Sequence, residues 1–315
     1  MKKHLIFLNI LLLLTCGCAT VYNPATQRQE VVFIDTKSEV ALGKMINGGV
    51  TKDHKLSKDP QFNQRVKAIG EKIAAVCDRK DLQYEFYVIE DKELNALSLP
   101  GGFVYINTGL LKKADDDELA GVMAHEIGHV VARHAVKQLQ AALGFNIVMA
   151  IAFNKSSAVQ AYQAVNIVYN LVSLGYSRED ERQADKLAVM YTYKAKYNPR
   201  GMITIFAKLK EEEKENGTTN IPVFLRSHPA VEERIKNIER EIKEVEHLKA
   251  KDSPANVSHP SQTVSSSSSV VSGKDTVTKA NIAPEGITRK MCPRCKRVFP
   301  ATDNFCPFDG ANLVY

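Results

Sequence analysis

Residues 115–134, with the sequence DDDELAGVMAHEIGHVVARH, carry the strongest local pattern in this chain. Asp115, followed three residues later by Glu118, is typical of a helix start with an acidic first turn. His125 and His129 are four residues apart, so a helix would place both imidazoles on one face, about 6 Å apart along its axis. That spacing fits two ligands of one tetrahedral zinc ion.

The helical wheel separates these two histidines from the apolar face of the same helix. The helix is predicted to run past His134, which falls on the apolar face and is interpreted as a buried core histidine rather than a ligand. Small residues flank the two histidines and would let another segment approach closely, namely Gly121, Ala124, Gly128 and Ala132.

A third ligand is expected from a second helix that includes residues 177–185, SREDERQAD. Glu181 and Asp185 are four residues apart on one face of that helix. One carboxylate can therefore bind zinc while the other holds a ligand histidine through its distal N–H group. The same spacing is also compatible with an ordinary charged helix start.

The residues around these two segments predict a mixed fold. Apolar residues between Pro60 and Val76 recur at spacings of three and four, as in an amphipathic helix, and Cys77 after them is interpreted as a buried thiol. Two β-prone runs follow, at residues 84–88 and 103–106. A small sheet is therefore predicted.

Two further helical regions are predicted. The apolar runs Leu143–Phe153 and Ala164–Leu174 are too short to cross a bilayer and favour a buried helical hairpin. A last helix follows Pro229, with an apolar stripe from Val231 to Val245. The many Glu, Lys and Arg residues of this helix are interpreted as a solvated surface.

Composition excludes several classes of protein. The chain has 315 residues, 25% of them charged and 44% hydrophobic, which does not fit a disordered chain or a polytopic membrane protein. The formal net charge of +6 is too small to drive nucleic-acid binding by bulk charge. The six cysteines are too few and too clustered for a disulfide scaffold.

The N-terminus predicts export. A basic start and an apolar run ending at Leu14 indicate a signal peptide over residues 1–17. Gly17-Cys18-Ala19 resembles a bacterial lipobox, which predicts an acylated Cys18, with Cys16 as the alternative acceptor. Plain cleavage without lipidation is the other interpretation. Several acyl chains on one residue would anchor the protein firmly to a bilayer.

The C-terminal region predicts a tether and a small module. Residues 251–288 are rich in Ser, Thr and Pro and are predicted to be a flexible linker. Residues 289–315 place two ligand pairs ten residues apart, which is typical of a zinc ribbon holding a second, structural zinc. The proposed ligands are Cys292, Cys295, Cys306 and Asp309. A disulfide, either Cys292–Cys295 or Cys295–Cys306, is the alternative.

The ordered motifs resemble the HtpX and CAAX-prenyl-protease type of gluzincin zinc metallopeptidases. The resemblance covers about residues 35–245 and is nearest to the secreted, BepA-like branch. It implies an α+β, mainly helical zincin fold over residues 18–250, with a small sheet whose edge strand lies beside the HExxH helix. It rests on the two motifs above together with Asn95-Ala96, Pro100-Gly101-Gly102, Thr108-Gly109-Leu110-Leu111 and Ser227-His228-Pro229.

The resemblance also implies roles for single residues. Glu181 would be the third zinc ligand and Asp185 would hold a ligand histidine, while Glu126 would act as the general base on a zinc-bound water. His228 would stabilise the reaction intermediate or fill the fourth zinc position at rest, although a plain helix-start role before Pro229 is the alternative. An edge strand for extended substrates would be led by Pro100, Gly101, Gly102 and Phe103, which otherwise form a simple hairpin turn.

The function implied is a lipid-anchored zinc endopeptidase of the bacterial periplasm, at the outer membrane. Its partners would be extended, misfolded or stalled envelope polypeptides, the bilayer, and a protein docked to the ribbon, but no nucleic acid. A first alternative is a chaperone or assembly factor for outer-membrane proteins that cleaves little or nothing. A prenyl-protein protease is a weaker alternative.

Overall fold

A computed structural model of the chain describes residues 20–142, 174–216, 221–252, 289–291 and 298–300. The chain divides into two units, Met1–Ser253 and Pro254–Tyr315. Several predictions fall outside the described residues. These are the signal peptide with Cys16 and Cys18, nearly all of the apolar hairpin, the linker, and the four proposed ribbon ligands.

The first unit combines two small sheets with helices. Its elements in chain order are β1 (Thr20–Asn23), β2 (Arg28–Val31), α1 (Thr36–Asp53), α2 (Pro60–Ala74), β3 (Glu85–Ile89), β4 (Ala96–Leu99), β5 (Phe103–Asn107), α3 (Thr108–Lys113), α4 (Asp116–Val131), α5 (Arg178–Lys194), α6 (Gly201–Asn216), α7 (Val223–Ser227) and α8 (Val231–Asp252). A further helical segment occupies residues 134–142. The mainly helical α+β prediction is confirmed.

Helix α2 forms as its apolar spacing predicts. The Asp59 side chain accepts hydrogen bonds from the first turn, and Pro60 occupies a position where its missing N–H group costs nothing. Val66, Ile69 and Ile73 are buried, and Cys77 just beyond the helix is a buried free thiol as predicted.

The three-stranded sheet has the order β3-β5-β4, with β5 parallel to β3 and antiparallel to β4. Residues 55–57 cover the outer edge of β3, where Ser57 N donates to Val88 O and Glu90 N donates to Lys55 O. Strand β4 is therefore the edge of this sheet that remains open among the described residues.

The edge-strand prediction is wrong in its residues. Phe103 begins the central strand β5, whose five residues are all buried, while Pro100, Gly101 and Gly102 form the buried turn that leads into it. Gly101 has φ +82°, and an added Cβ would lie 2.9 Å from Val40 Cα of α1. The edge strand is instead β4. Sequence analysis missed this strand because its residues, Ala-Leu-Ser-Leu, do not alternate in polarity.

Helix α4 starts as predicted but ends earlier. Asp115 and Glu118 form a reciprocal capping box. The helix ends at Val131, and Arg133 has φ +55°, which turns the chain before the next helical segment begins at residue 134. His134 is therefore not on a continuation of α4, and the turn brings it back towards His129.

The core lies mainly on the α4 side of the three-stranded sheet. Helices α4 and α5 pack closely because Gly128 carries no side chain: an added Cβ would lie 3.0 Å from Ala184 O. Leu119, Val122, Met123 and Ile127 of α4 are fully buried in this core. Close packing of the two helices is what brings their polar residues together.

In the described parts of the chain, no helix has both the length and the apolar character that crossing a bilayer requires.

The second unit contains one described hairpin, in which β6 (Arg289–Met291) pairs antiparallel with β7 (Val298–Pro300). A zinc ribbon in this unit stays a prediction.

Candidate metal centre

Three helices bring four potential metal ligands together. His125 and His129 come from α4, Glu181 from the first turn of α5, and His228 from the residue that ends α7. One ligand atom from each lies within 4.8 Å of the others, and all four residues are buried. The two histidine Nε2 atoms are 3.0 Å apart.

Two carboxylate oxygens in this cluster have no hydrogen-bond partner although they are buried: Glu126 Oε1 and Glu181 Oε2. Arg234 Nη1 lies 2.9 Å from Glu181 Oε2 but does not form a hydrogen bond with it. Buried carboxylates are normally satisfied, so these oxygens call for a cation or a polar ligand. Imidazole and carboxylate donors are the set that zinc prefers in catalytic sites, and the residues therefore fit this ion.

Asp185 orients His125. Its Oδ1 atom lies 3.0 Å from His125 Nδ1, which leaves Nε2 directed into the ligand cluster. Arg234 of α8 in turn holds both oxygens of Asp185, at 2.8 and 2.6 Å. The structure thus places Asp185 where the resemblance implied it.

His129 is oriented by a different type of residue, a second histidine. His129 Nδ1 lies 2.8 Å from His134 Nδ1, and His134 Nε2 lies 3.2 Å from Gln183 Oε1. Asn23 Nδ2 donates to the same Gln183 oxygen. The prediction that His134 is buried and lies outside the ligand set holds in the structure, but its contact is with a ligand rather than with the core alone.

Electrostatics keep the carboxylates of this cluster ionised. Burial opposes ionisation of Glu181, but Arg234 and His228 hold its pKa well below the ordinary value. Burial likewise opposes ionisation of Asp185, and Arg234 outweighs it, which lowers the pKa. Both groups therefore carry negative charge at neutral pH and can balance a bound cation.

The two ligand histidines differ in proton affinity. Burial and Arg234 lower the pKa of His125, but the carboxylates of Asp185 and Glu181 outweigh them and raise it to about 9. Burial and the neighbouring His125 lower the pKa of His129 well below the ordinary value. Without metal, a proton on His125 therefore partly balances the carboxylates.

Glu126 lies between the ligand cluster and the open strand β4. Ser98 of β4 donates from Oγ to Glu126 Oε2 at 2.8 Å and is also 3.0 Å from the Glu126 carbonyl oxygen. His228 Nε2 is 3.4 Å from the other oxygen, Glu126 Oε1. One oxygen of Glu126 is thus fixed, and the other remains available for proton transfer.

Comparison with known proteins identifies the family. Residues 60–242, more than half of the chain, match the protein family described as Peptidase family M48. The chain belongs to peptidase family M48. The family resemblance predicted from the ordered motifs is thereby confirmed.

Named relatives include metalloproteases of bacteria and mitochondria. The chain is 30% identical over 183 residues to the mitochondrial metalloendopeptidase OMA1 of Schizosaccharomyces pombe, covering 58% of this chain and 53% of that protein. It is 25% identical over 192 residues to the beta-barrel assembly-enhancing protease of Escherichia coli strain K12, covering 57% and 39%. It is 27% identical over 181 residues to the metalloprotease LoiP of the same strain, covering 56% and 69%. The chain thus spans about half or less of the length of the first two relatives.

Among the described residues, the outer edge of β4 beside Glu126 has no strand paired with it. Asn107 N donates to Asn95 O, so alternation along β4 directs the backbone groups of Ala96 and Ser98 away from β5. The next outward carbonyl, that of Leu94, is already bonded to Phe224 N of α7 at 3.0 Å. Ala96 and Ser98 thus have no backbone partner among the described residues although both are 2% exposed, and α7 covers the edge at Leu94.

A cleft of about 180 Å³ follows this edge. Its wall includes Asn95, Ala96, Leu97, Glu126, Tyr176 and His228. A narrower crevice lies against the second half of the edge, lined among others by Ser98, Leu99, Pro100, His129 and Tyr176. A polypeptide lying along β4 would pass both the ligand cluster and Glu126.

Arg234 is the main residue of this M48 site that sequence analysis missed. The interpretation of the α8 charges as a solvated surface is wrong for this residue, which is 2% exposed and stacks over Phe206. The signal was its spacing, three residues after Val231 and four before Ile238, within the apolar stripe. Ser98, Gln183 and Tyr176 gave no comparable signal.

Proposed function

We propose that this chain is a zinc-dependent metalloendopeptidase that cleaves extended polypeptides of the cell envelope. The proposal rests on the close approach of His125, His129 and Glu181, and on two buried carboxylate oxygens without hydrogen-bond partners, one in Glu181 and one in Glu126. Membership of the peptidase family and the names of the relatives support it.

The three residues His125, His129 and Glu181 would hold the ion. When bound, zinc supplies Lewis-acid polarisation of a substrate carbonyl and of a water molecule. Glu126 Oε1 takes the proton of the attacking water, while Ser98 keeps Oε2 in place, and Glu126 returns the proton to the leaving amine. His228 Nε2 faces Glu126 at 3.4 Å and can donate to the developing oxyanion.

The open edge of β4 would align the substrate. An extended chain can form backbone hydrogen bonds with Ala96 and Ser98, the mode by which many domains bind unstructured segments. Such binding depends on backbone groups and is compatible with misfolded or stalled envelope proteins of varied sequence.

Further parts of the proposal concern location and the C-terminal unit. The N-terminal sequence supports a lipid anchor on Cys18, or on Cys16, facing the periplasm from the outer membrane. The spacing of the four proposed ribbon ligands supports a second zinc and a docking role for a protein partner. A Cys292–Cys295 or Cys295–Cys306 disulfide is the alternative for that unit.

Casein cleavage and zinc content of the purified protein test the proposal. Wild type should bind two zinc ions and cleave casein, whereas Glu126→Gln should keep both ions and lose cleavage. A chain truncated after Lys251 should bind one zinc ion and keep its activity. A wild-type protein that binds no zinc in the first unit, or a Glu126→Gln protein that still cleaves, would contradict the proposal.

A second candidate function is assembly of outer-membrane proteins with little proteolysis. The open β4 edge favours it, because strand pairing alone could hold an unfolded substrate, and one relative is named an assembly-enhancing protease. Complementation with Glu126→Gln separates the two functions, since an assembly role survives this change and a proteolytic role does not.

A further inference from the structure

Tyr176 has a buried hydroxyl without a hydrogen-bond partner, the only such tyrosine among the residues that the structure describes. The residue is 7% exposed, and its ring stacks on His129 with centroids 3.9 Å apart. By contrast, the buried hydroxyl of Tyr191 donates to Asp78 Oδ2 at 2.6 Å. A buried donor without a partner costs free energy, so a fold retains one mainly where a ligand will satisfy it.

The position of Tyr176 indicates which ligand that is. The residue lines both the cleft beside Asn95–Leu97 and the crevice beside Ser98–Pro100. Tyr176 therefore lines one cavity together with Leu97 and the other together with Ser98. A polypeptide paired with β4 would pass Tyr176 at the place where Ser98 holds Glu126.

The chemistry of the neighbouring groups indicates what the hydroxyl can do. The other unsatisfied atoms of the cluster, Glu126 Oε1 and Glu181 Oε2, are carboxylate oxygens that only accept hydrogen bonds when ionised. The Tyr176 hydroxyl can donate. A phenol keeps its proton at neutral pH, because its ordinary pKa is about 10.

We propose that Tyr176 is a catalytic residue whose hydroxyl donates a hydrogen bond to the carbonyl oxygen of the scissile peptide bond. This role rests on the proposed peptidase function and adds a donor to that of His228. The hydrogen bond strengthens as negative charge develops on the carbonyl oxygen, and it therefore stabilises the transition state more than the bound substrate.

Tyr176→Phe in the full-length, zinc-loaded protein tests the role, because it removes only the hydroxyl. Steady-state cleavage of a fluorogenic peptide should show kcat lower by about 100-fold with KM changed by less than about threefold. Tyr191→Phe, which also removes one buried hydroxyl, is the matched control and should keep kcat. Retention of kcat by Tyr176→Phe within about twofold, or a higher KM at unchanged kcat, would overturn the proposal.

Thermal unfolding and zinc content give a second readout that does not depend on activity. Because the Tyr176 hydroxyl has no partner in the free protein, Tyr176→Phe should unfold at the same or a higher temperature than wild type and bind zinc equally well. Tyr191→Phe should unfold at a lower temperature. A lower unfolding temperature or zinc loss in Tyr176→Phe would show a structural role and overturn the proposal.

Two further proteins separate failure of this inference from failure of the proposed function. The cleavage rate of Glu126→Gln defines the background without catalysis. If wild type cleaves above that level and Tyr176→Phe matches wild type, the tyrosine role alone is wrong. If wild type does not exceed Glu126→Gln, the peptidase function is wrong, and the tyrosine role falls with it.

Discussion

Two buried clusters of charged side chains lie near the C-terminal half of α4, and they differ in how completely they are satisfied. The metal-centre cluster contains His125, Glu126, Glu181, Asp185 and Arg234 and includes two carboxylate oxygens without hydrogen-bond partners. In the Glu39 cluster, Glu39, Arg79 and Arg133 are buried while Asp81 lies at the exposed rim, and no such buried atom remains.

The Glu39 cluster joins separate parts of the fold. Arg79 donates to both oxygens of Glu39, at 2.8 and 2.9 Å, and to Asp81. Arg133 donates to Ile34 O and Thr36 Oγ1, and Gly101 N is 3.3 Å from Glu39 Oε1. No buried side-chain atom of this cluster lacks a hydrogen-bond partner, so the cluster needs no ligand.

The difference between the two clusters shows that burial of charge does not by itself indicate a functional site. Each cluster buries an arginine paired with a carboxylate, Arg234 with Asp185 and Arg79 with Glu39. Only the metal-centre cluster leaves acceptors unsatisfied, and only there do ligand-type side chains from several helices converge. In this pair of clusters, the unsatisfied carboxylate oxygens rather than burial mark the candidate site.

The largest expected effect on this contrast comes from Arg234→Met. It leaves Asp185 and Glu181 without their cation, so the metal-free protein should lose about 3–5 kcal/mol of unfolding free energy. Zinc should reduce this loss, because the ion balances the negative charge that Glu181 retains without Arg234. Chemical denaturation with and without zinc measures both values, and an equal loss in the two conditions would argue against a metal at this cluster.

Arg79→Met is the matched change in the Glu39 cluster. It leaves Glu39 buried without its main cation and should also cost about 3–5 kcal/mol. Here the loss should be the same with and without zinc, since no ligand replaces the missing charge. If zinc restored the unfolding free energy of Arg79→Met, the proposed difference between the two clusters would be wrong.

A smaller effect is expected from His134→Leu, which removes the acceptor for His129 Nδ1–H. Zinc affinity should fall by about 10–100-fold, the usual effect of losing a residue that orients a ligand histidine. Chelator competition measures the dissociation constant. His134→Asn is the control, since its amide oxygen can accept the same hydrogen bond and should retain more of the affinity. Equal losses in both variants would show that packing, not the hydrogen bond, matters.

The smallest effects concern pH, and they have opposite signs in the two clusters. Without metal, Asp185 and Glu181 raise the pKa of His125 to about 9 against the effect of burial. Protonated His125 therefore contributes fully to stability below pH 6.5, the ordinary pKa of histidine, and this contribution is lost as the pH rises through 9. Burial opposes ionisation of Asp81, but Arg79 and Thr36 lower its pKa to about 2. Ionised Asp81 therefore contributes to stability above pH 3.8, the ordinary pKa of aspartate, and this contribution is lost as the pH falls through 2.

Thermal unfolding of the metal-free and zinc-loaded protein across the pH range checks these signs. Zinc should remove the alkaline loss, because the ion takes the place of the His125 proton, and should leave the acid loss unchanged. Asp81→Asn should weaken the acid loss alone. An alkaline loss that persists with zinc would contradict the assignment of His125 as a ligand.

Local patterns predicted the helical parts of this site well. The capping residues of α4, the four-residue spacing of His125 and His129, and the stripe of α2 depend only on neighbours along one helix. The end of α4 was predicted too late, because the turn at Arg133 depends on contacts with Ile34 and Thr36 rather than on a local breaker.

Residues that act across elements were not predictable in this way. Strand β4 is short, and its edge position follows from pairing with β5 and from the coverage of β3 by residues 55–57. In the sequence, Arg234 is one of many charged residues of α8. Its role depends on its contact with Asp185, which lies 49 residues earlier in the chain. Tyr176 gains meaning only from its position between two cavities.

Sequence alone determined the ligand types, their spacing within each helix, and through the ordered motifs the protein family. Such features arise from the geometry of a single helix, which repeats every 3.6 residues wherever it occurs. Tertiary structure decided which strand edge stays open, which arginine turns inward, and which buried atoms remain unsatisfied. Those properties depend on the distances between elements far apart in the chain, and only packing sets such distances.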